Sequence, residues 1–238
     1  MLKKLFGLNI EIKQSKNEAF NLDTLLLADF MNIPKHVKHI VEVGTGNGVL
    51  LFYINDISTA KITGLEIQTK RFLTAVANVK RNHLDSKISI LNMDFKDFQD
   101  PKVDMIISNP PFFKMSTKGH VSEDNERLIA RFEVHLTLEA FIKKSGELLK
   151  HGGLLTFIHR PERLDEIMML CTKYGFGIKR MRPVYPKKDR PCNHVLIEAH
   201  KGGKLGGVKI ESPLIIYDEN NKFTNEMNKV YKGEVPCY

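Results

Sequence analysis

Two stretches of this 238-residue chain bring together residue types that could do chemistry. The first reads Glu42-Val43-Gly44-Thr45-Gly46-Asn47-Gly48, set between a strand-like run and an apolar helical run. Its glycines permit a tight turn and a close ligand approach, and the helix that follows offers free N–H groups, so a nucleotide-like ligand is expected there. The second, "VDMIISNPPFFKM" (103–115), is an apolar run that stops at Asn109 before two prolines and two phenylalanines. Proline has no N–H to give a sheet, so Pro110 and Pro111 must lie just past the strand, in the crevice at its carboxyl end. There the Asn109 side-chain oxygen and the Pro110 carbonyl form a pair of acceptors, aimed by proline's fixed φ. Pro111 chiefly stiffens the turn, and Phe112 offers a flat face for stacking. Phe113 fits core, lid or substrate contact equally.

Spacing narrows the ligand. A dinucleotide fingerprint is GxGxxG, whereas the third glycine here falls one position early at Gly48, and Val49 stands where that pattern wants glycine. Spaced as ExGxGxG, the loop resembles that of S-adenosylmethionine-dependent methyltransferases. Glu66 ends the next strand, 18 residues after Gly48, where a carboxylate can accept both ribose hydroxyls, with Ile67 beside it. Asp94 in "LNMDF" can take an adenine amino group or serve as a turn cap, and Phe95 can be core or a stacking surface.

These residues need a scaffold, and the pattern supplies one. "HIVEV" (39–43), "KITGLEI" (61–67), "KISIL" (87–91), "VDMIIS" (103–108) and "LLTFIH" (154–159) read as strands separated by helical periodicity. That alternation predicts an α/β fold, a Rossmann-like, doubly wound, mostly parallel sheet. "GIKRMRPVY" (177–185) and "HVLIEAHK" (194–201) have no helix between them and should close it as a C-terminal antiparallel hairpin. A helix over 19–31, capped by Asn21 or Asp23, belongs to an N-terminal extension of about 1–38. A C-terminal extension of about 202–238 runs through a glycine-rich linker to a strand in "IESPLIIY" and a helix near 222–231. A single domain over 1–238 is the economical reading.

Composition sets the limits. Hydrophobic residues make up 42%, as in globular chains, and 36 Lys+Arg against 28 Asp+Glu give a net charge of +8, which favours polyanionic partners. The three cysteines, Cys171, Cys192 and Cys237, lie far apart and suit a reducing cytoplasm better than a disulfide framework. Cys192 with His194 is too small a ligand set for a metal, so none is expected, and His151 and His159 read as ordinary turn and core histidines. No segment has the length of a signal h-region or a membrane span.

Asn-Pro-Pro-aromatic after a fourth strand resembles the signature of methyltransferases that act on planar amino or amide nitrogens. An exocyclic amine is a weak nucleophile because its lone pair is delocalised into the ring; two acceptors can hold its N–H groups and bring the lone pair toward a methyl donor. "VEVGTGNGVL", "GLEIQ", "NMDF", "SNPPFFK", "IARFEVHLTLEAF" and "IESPLIIYDENNKFTNEM" together resemble one family, the bacterial tRNA1(Val) adenine-N6 methyltransferases, over about Asn17 to Tyr231. The resemblance implies S-adenosylmethionine as cofactor, a flipped adenine at position 37 of the tRNA anticodon loop as substrate, and Asn109 near both. It departs at Asp23-Thr24, where the family often has Asp-Gly. Rival targets are a guanine N2 in ribosomal RNA, a DNA adenine or a protein glutamine; a non-catalytic RNA-binding relative is a further alternative. For RNA contact the candidates are Lys179, Arg180, Arg182, Lys187, Lys188 and Arg190 on the hairpin, with Arg131 either reaching the anticodon loop or pairing within its own helix.

Overall fold

The computed structural model describes residues 2–5, 7–14, 22–100, 103–110 and 136–232; Asn21, Pro111, Phe112, Phe113 and Arg131 lie outside the described residues. A two-stranded hairpin, β1 (Leu2–Lys4) with β2 (Glu11–Lys13), precedes α1 (Leu22–Phe30). Strands β3 (His39–Val43), β4 (Lys61–Leu65), β5 (Ile88–Leu91), β6 (Val103–Ser108) and β7 (Leu149–His159) then alternate with helices α2 (Val49–Ile57), α3 (Thr69–Arg81) and α4 (Leu138–Leu148). Helix α5 (Leu164–Lys173) leads into β8 (Phe176–Tyr185) and β9 (His194–Lys201). The chain continues through β10 (Lys209–Ile210), β11 (Leu214–Ile215) and α6 (Asn225–Lys232).

Among the described residues, nine strands form one sheet in the order β10-β8-β9-β7-β6-β3-β4-β5, with β11 also on β8. The pairs β3–β4, β4–β5, β3–β6 and β6–β7 are parallel, and β7–β9 and β8–β9 are antiparallel. The mostly parallel sheet closed by an antiparallel hairpin is therefore as the sequence predicts. Side chains alternate across it as strand geometry requires: Ile40, Met105 and Ile158 join the core beneath α1, α2 and α6, while Val41, Ile106 and Phe157 join the core beneath α4 and α5. The chain runs outward from β3 through β4 to β5, then returns to the other side of β3 as β6. This reversal is a topological switch point, and it opens a crevice beyond the carboxyl ends of β3 and β6. No helix among the described residues is long and apolar enough to cross a membrane.

Some elements differ from the sequence reading, among them β7, which begins at Leu149 where the sequence suggests 154. The segment "IESPLIIY" does not make one strand, because Pro213 has no N–H for the ladder; β10 and β11 pair with β8 on either side of it. The β1–β2 hairpin was invisible as periodicity because its strands have three residues each. It is docked on α3 by two asparagines one helical turn apart. Lys13 N–H donates to Asn78 Oδ1 (2.7 Å), whose Nδ2 donates to the carbonyls of Lys13 (3.2 Å) and Asn47 (3.0 Å). Asn82 repeats the pattern on Glu11 at 3.1 and 2.8 Å.

Asn78 is wholly buried, whereas the Asn82 contacts to Glu11 are exposed. Removing a buried amide strands its partners, so Asn78→Ala should cost about 2 kcal/mol and Asn82→Ala under about 1 kcal/mol in urea unfolding; equal losses would contradict this account.

Candidate functional site

The β3–α2 connection is a tight turn laid over the start of α2. Gly44 and Thr45 N–H both donate to the Leu65 carbonyl (2.9 and 3.0 Å), and Gly48 N–H donates to the Thr45 carbonyl (2.9 Å). At Gly44 φ is +78°, and a Cβ there would meet nothing within 4 Å, so the backbone borders open space. The opposite holds one strand away, where a Cβ on Gly64 would lie 2.5 Å from Thr45 Oγ1. Gly64, which sequence reasoning passed over, lets β4 approach the turn.

Two buried acids support this turn. Glu66, 3% exposed, accepts Gly46 N–H on Oε2 and Gln68 N–H on Oε1, both at 2.8 Å. Glu42, also 3% exposed, accepts the Thr45 hydroxyl (3.0 Å). Burial, reinforced by the neighbouring Glu66 charge against the opposing Thr45 bond, pushes the Glu42 carboxyl up to about 8. It is a neutral acid beneath the loop at physiological pH.

An open cleft lies beside the turn, lined by Gly44, Glu66, Ile67, Asp94, Phe95, Ser108 and Pro110 and also by Thr137, Leu138, Phe141, His159 and Arg163. Glu42, Thr45, Gly46 and Gly48 are not among its lining residues; Glu42, Thr45 and Gly48 shape the loop, while Gly46, like Gly44, borders open space. Asp94 is both cap and wall: its Oδ1 accepts Lys96 N–H (2.9 Å), and Lys96 Nζ sits 3.3 Å from Oδ2. Phe95 is also both, packing on Phe141 with ring centroids 5.9 Å apart. Asn92, another residue the sequence did not single out, donates to the carbonyls of Glu66 (2.7 Å) and Ile67 (3.1 Å) and fixes the turn that carries them. The opening over Gly44, the acids at the ends of β4 and β5 and the apolar faces of Ile67 and Phe95 fit an adenosine-bearing ligand.

On the other side of the switch point, Ser108 Oγ donates to the Val43 carbonyl (2.9 Å), joining the ends of β3 and β6. Asn109 follows, and its Nδ2 donates to Thr24 Oγ1 on α1 (3.1 Å). The pair that breaks the family resemblance therefore meets the motif: Thr24 holds Asn109, and Asp23 Oδ1 lies 3.4 Å from His194 Nε2 at the start of β9. Burial drives His159 and His194 down to about 4, so both are neutral near pH 7. Pro111 and Phe112, predicted to complete the site, are outside the described residues, as is Arg131.

The basic hairpin divides. Arg180 is ion-paired with Glu198 (2.9 Å) and Glu211 (3.2 Å), and its guanidinium lies 3.9 Å from the Phe30 ring centroid. Arg182 pairs with Asp29 (3.2 Å) and Glu226, and Lys179 Nζ donates to the carbonyls of Lys204 (2.6 Å) and Gly206 (3.0 Å). These three hold the C-terminal extension to the sheet. Lys187, Lys188 and Arg190 lie at the tip, with Lys188 and Arg190 exposed. The β6–β7 register sets Ser108 against Phe157 and the β7–β9 register sets His159 against Val195, so this tip stands at the same end of the sheet as Asn109.

The state of Glu42 has a measurable consequence. Between its ordinary value of 4.5 and about 8, the unfolded chain has lost a proton that the folded chain retains, so this group's contribution to stability falls as pH rises through that window. Glu42→Gln, always neutral, should gain stability relative to the parent from pH 5 to pH 8 in thermal melts of the ligand-free protein. A constant difference across that range would place the proton elsewhere.

Comparison with known proteins agrees with the geometry. Curated relatives named tRNA1(Val) (adenine(37)-N6)-methyltransferase include those of Tolumonas auensis, 27% identical over 74% of this chain and 73% of theirs, and Glaesserella parasuis, 26% over 88% and 86%. Among solved structures, a predicted O-methyltransferase from Agrobacterium tumefaciens superposes with a TM-score of 0.70 at 19% identity, covering 91% of this chain and 98% of that one. Geranyl diphosphate C-methyltransferase from Streptomyces coelicolor, solved with S-adenosyl-L-homocysteine, gives 0.56 at 11% identity over 75% and 79%. These two likenesses establish the fold. The family model of the methyltransferase small domain matches residues 17–170, and the chain belongs to that family.

Proposed function

We propose that this enzyme transfers a methyl group from S-adenosylmethionine to the N6 of an adenine in tRNA, at position 37 of tRNA1(Val). The observation that carries the reading is Asn109-Pro110 at the end of β6, beside the glycine turn across the switch point. The names of the curated relatives support the substrate. Gly44, Glu66, Ile67, Asp94 and Phe95 would hold the donor, Glu66 by its ribose and Asp94 by its adenine. When bound, the donor supplies an activated sulfonium methyl.

The chain's own residues then do the positioning. Asn109 Oδ1 and the Pro110 carbonyl accept the two N–H groups of the adenine amine, turning its lone pair toward the methyl. Phe112 stacks on the ring, in which role an aromatic contributes about 1–3 kcal/mol per base. Held by Asn109 and Pro110, the amine would take the methyl as the donor's sulfur leaves with its bonding pair and, made acidic, would give its proton to water; no strong base is needed before attack. The rate comes chiefly from alignment. Such a pocket requires the base to leave its stack.

Phosphate contacts fall to Lys187, Lys188 and Arg190. Arg180 and Arg182 are left out of this set, because engaging phosphate would cost them their internal ion pairs with Glu198 and Asp29. The tip stands at the catalytic end of the sheet, so an RNA backbone bound there would run past Asn109.

Mass mapping of modified nucleosides in RNA from cells with and without the protein tests the reading. Loss of N6-methyladenosine from tRNA1(Val), restored by the parent chain but not by Asn109→Ala, is the expected result. A mark missing from ribosomal RNA instead would move the activity to that target, and RNA unchanged throughout would overturn the reading. Reversing Lys187 and Lys188 to Glu should weaken tRNA binding and reduce its salt slope by about 2, one for each lost phosphate contact. An unchanged slope would remove the tip from the interface.

A further inference from the structure

The carboxamide of Asn109 has two ends of nearly equal size and opposite function. Its terminal torsion is broad and roughly two-fold, so on a post-strand loop the oxygen and nitrogen can exchange places at little steric cost. Exchanged, Asn109 would present N–H groups to an amine that itself needs acceptors. Something must select the orientation, and a partner contacts the nitrogen: Asn109 Nδ2 donates to Thr24 Oγ1 at 3.1 Å, across 85 residues of sequence.

The residue making this contact is itself fixed. Thr24 is 8% exposed in the first turn of α1, and Leu25, Leu26 and Leu27 after it are buried in the core beneath the sheet. Asp23, one position before, approaches His194 Nε2 at 3.4 Å. The opening turn of α1 is therefore held at the carboxyl end of β6 through Thr24, and its apolar residues are anchored in the core. A hydroxyl so placed is a rigid reference point for a side chain on a turn.

We propose that Thr24 is a positioning residue for methyl transfer, holding Asn109 Nδ2 so that Oδ1 faces the substrate amine. This rests on the reading of Asn109 as acceptor given under the proposed function. Thr24→Val keeps the shape and removes the hydroxyl, whereas Thr24→Ser keeps the hydroxyl.

Single-turnover rates at saturating tRNA and donor, dissociation constants for S-adenosylhomocysteine, and urea unfolding of the ligand-free proteins provide the test. Thr24→Val should slow transfer about tenfold, the rate equivalent of one hydrogen bond, while KM for tRNA and the S-adenosylhomocysteine dissociation constant stay within about twofold. Thr24→Ser should transfer at close to the parent rate. In unfolding, Thr24→Val and Asn109→Ala should be non-additive because they remove one shared contact.

Parental rates in Thr24→Val beside an inactive Asn109→Ala would overturn the inference and leave the proposed function standing. Equal slowing in the Val and Ser variants would assign the effect to packing and also overturn it, as would additive unfolding energies. An active Asn109→Ala would instead overturn the proposed function. If Thr24→Val does not fold, Thr24→Ala takes its place in each comparison with Thr24→Ser.

Discussion

A carboxylate only 3% exposed must find hydrogen-bond donors, and much of the site follows from how Glu66 finds them. Its two oxygens take N–H groups from Gly46 on one side and Gln68 on the other, so one side chain clamps the glycine turn after β3 to the turn that opens α3. Neither turn can shift without leaving a buried acceptor short of a donor. Asn92 extends the clamp toward β5 by holding the carbonyls of Glu66 and Ile67. Three strand ends are thereby fixed relative to one another before any ligand arrives, which reduces the ordering cost of binding.

Beneath the clamp the second acid behaves differently. Glu42 lies close enough to Glu66 to feel its charge and is as deeply buried, but its carboxyl has the Thr45 hydroxyl for a partner where Glu66 has two backbone N–H groups. Keeping Glu42 neutral avoids two adjacent buried charges. Gly64 belongs to the same arrangement, since a side chain there would push Thr45 off Glu42. The residues that line the cleft and those that shape it are thus largely different, though all come from the same short motifs.

The sequence displayed the strands, the glycine turn and the Asn-Pro-Pro motif because each is local: a period of two, a glycine where φ is positive, a proline where a ladder must stop. It could not display partners far apart along the chain. Arg180 and Arg182 looked like mobile cations next to Lys187 and Lys188, yet their carboxylates come from α1, β9 and the C-terminal extension, and only the folded chain separates the two groups. Thr24 looked like a mismatch to the family pattern because its partner is 85 residues away. Gly64 sits within a strand pattern that gives no reason for a glycine; the reason is Thr45, whose Oγ1 a Cβ there would meet at 2.5 Å. Asp94 caps the turn and Phe95 packs in the core, and both also line the cleft.

The outer margin of the sheet bears on how the protein behaves in a crowded solution. A long strand at an edge is a template for another chain, and β8, at ten residues, would be one if left bare. Here β10 and β11 cover it, each only two residues long and separated by a stretch containing Pro213. The new margin is too short and too interrupted to recruit a neighbour in register, and the opposite margin, β5, has four residues. The C-terminal extension that Arg180 and Arg182 hold in place thus doubles as protection against self-association through strand pairing, independent of anything it contributes near RNA.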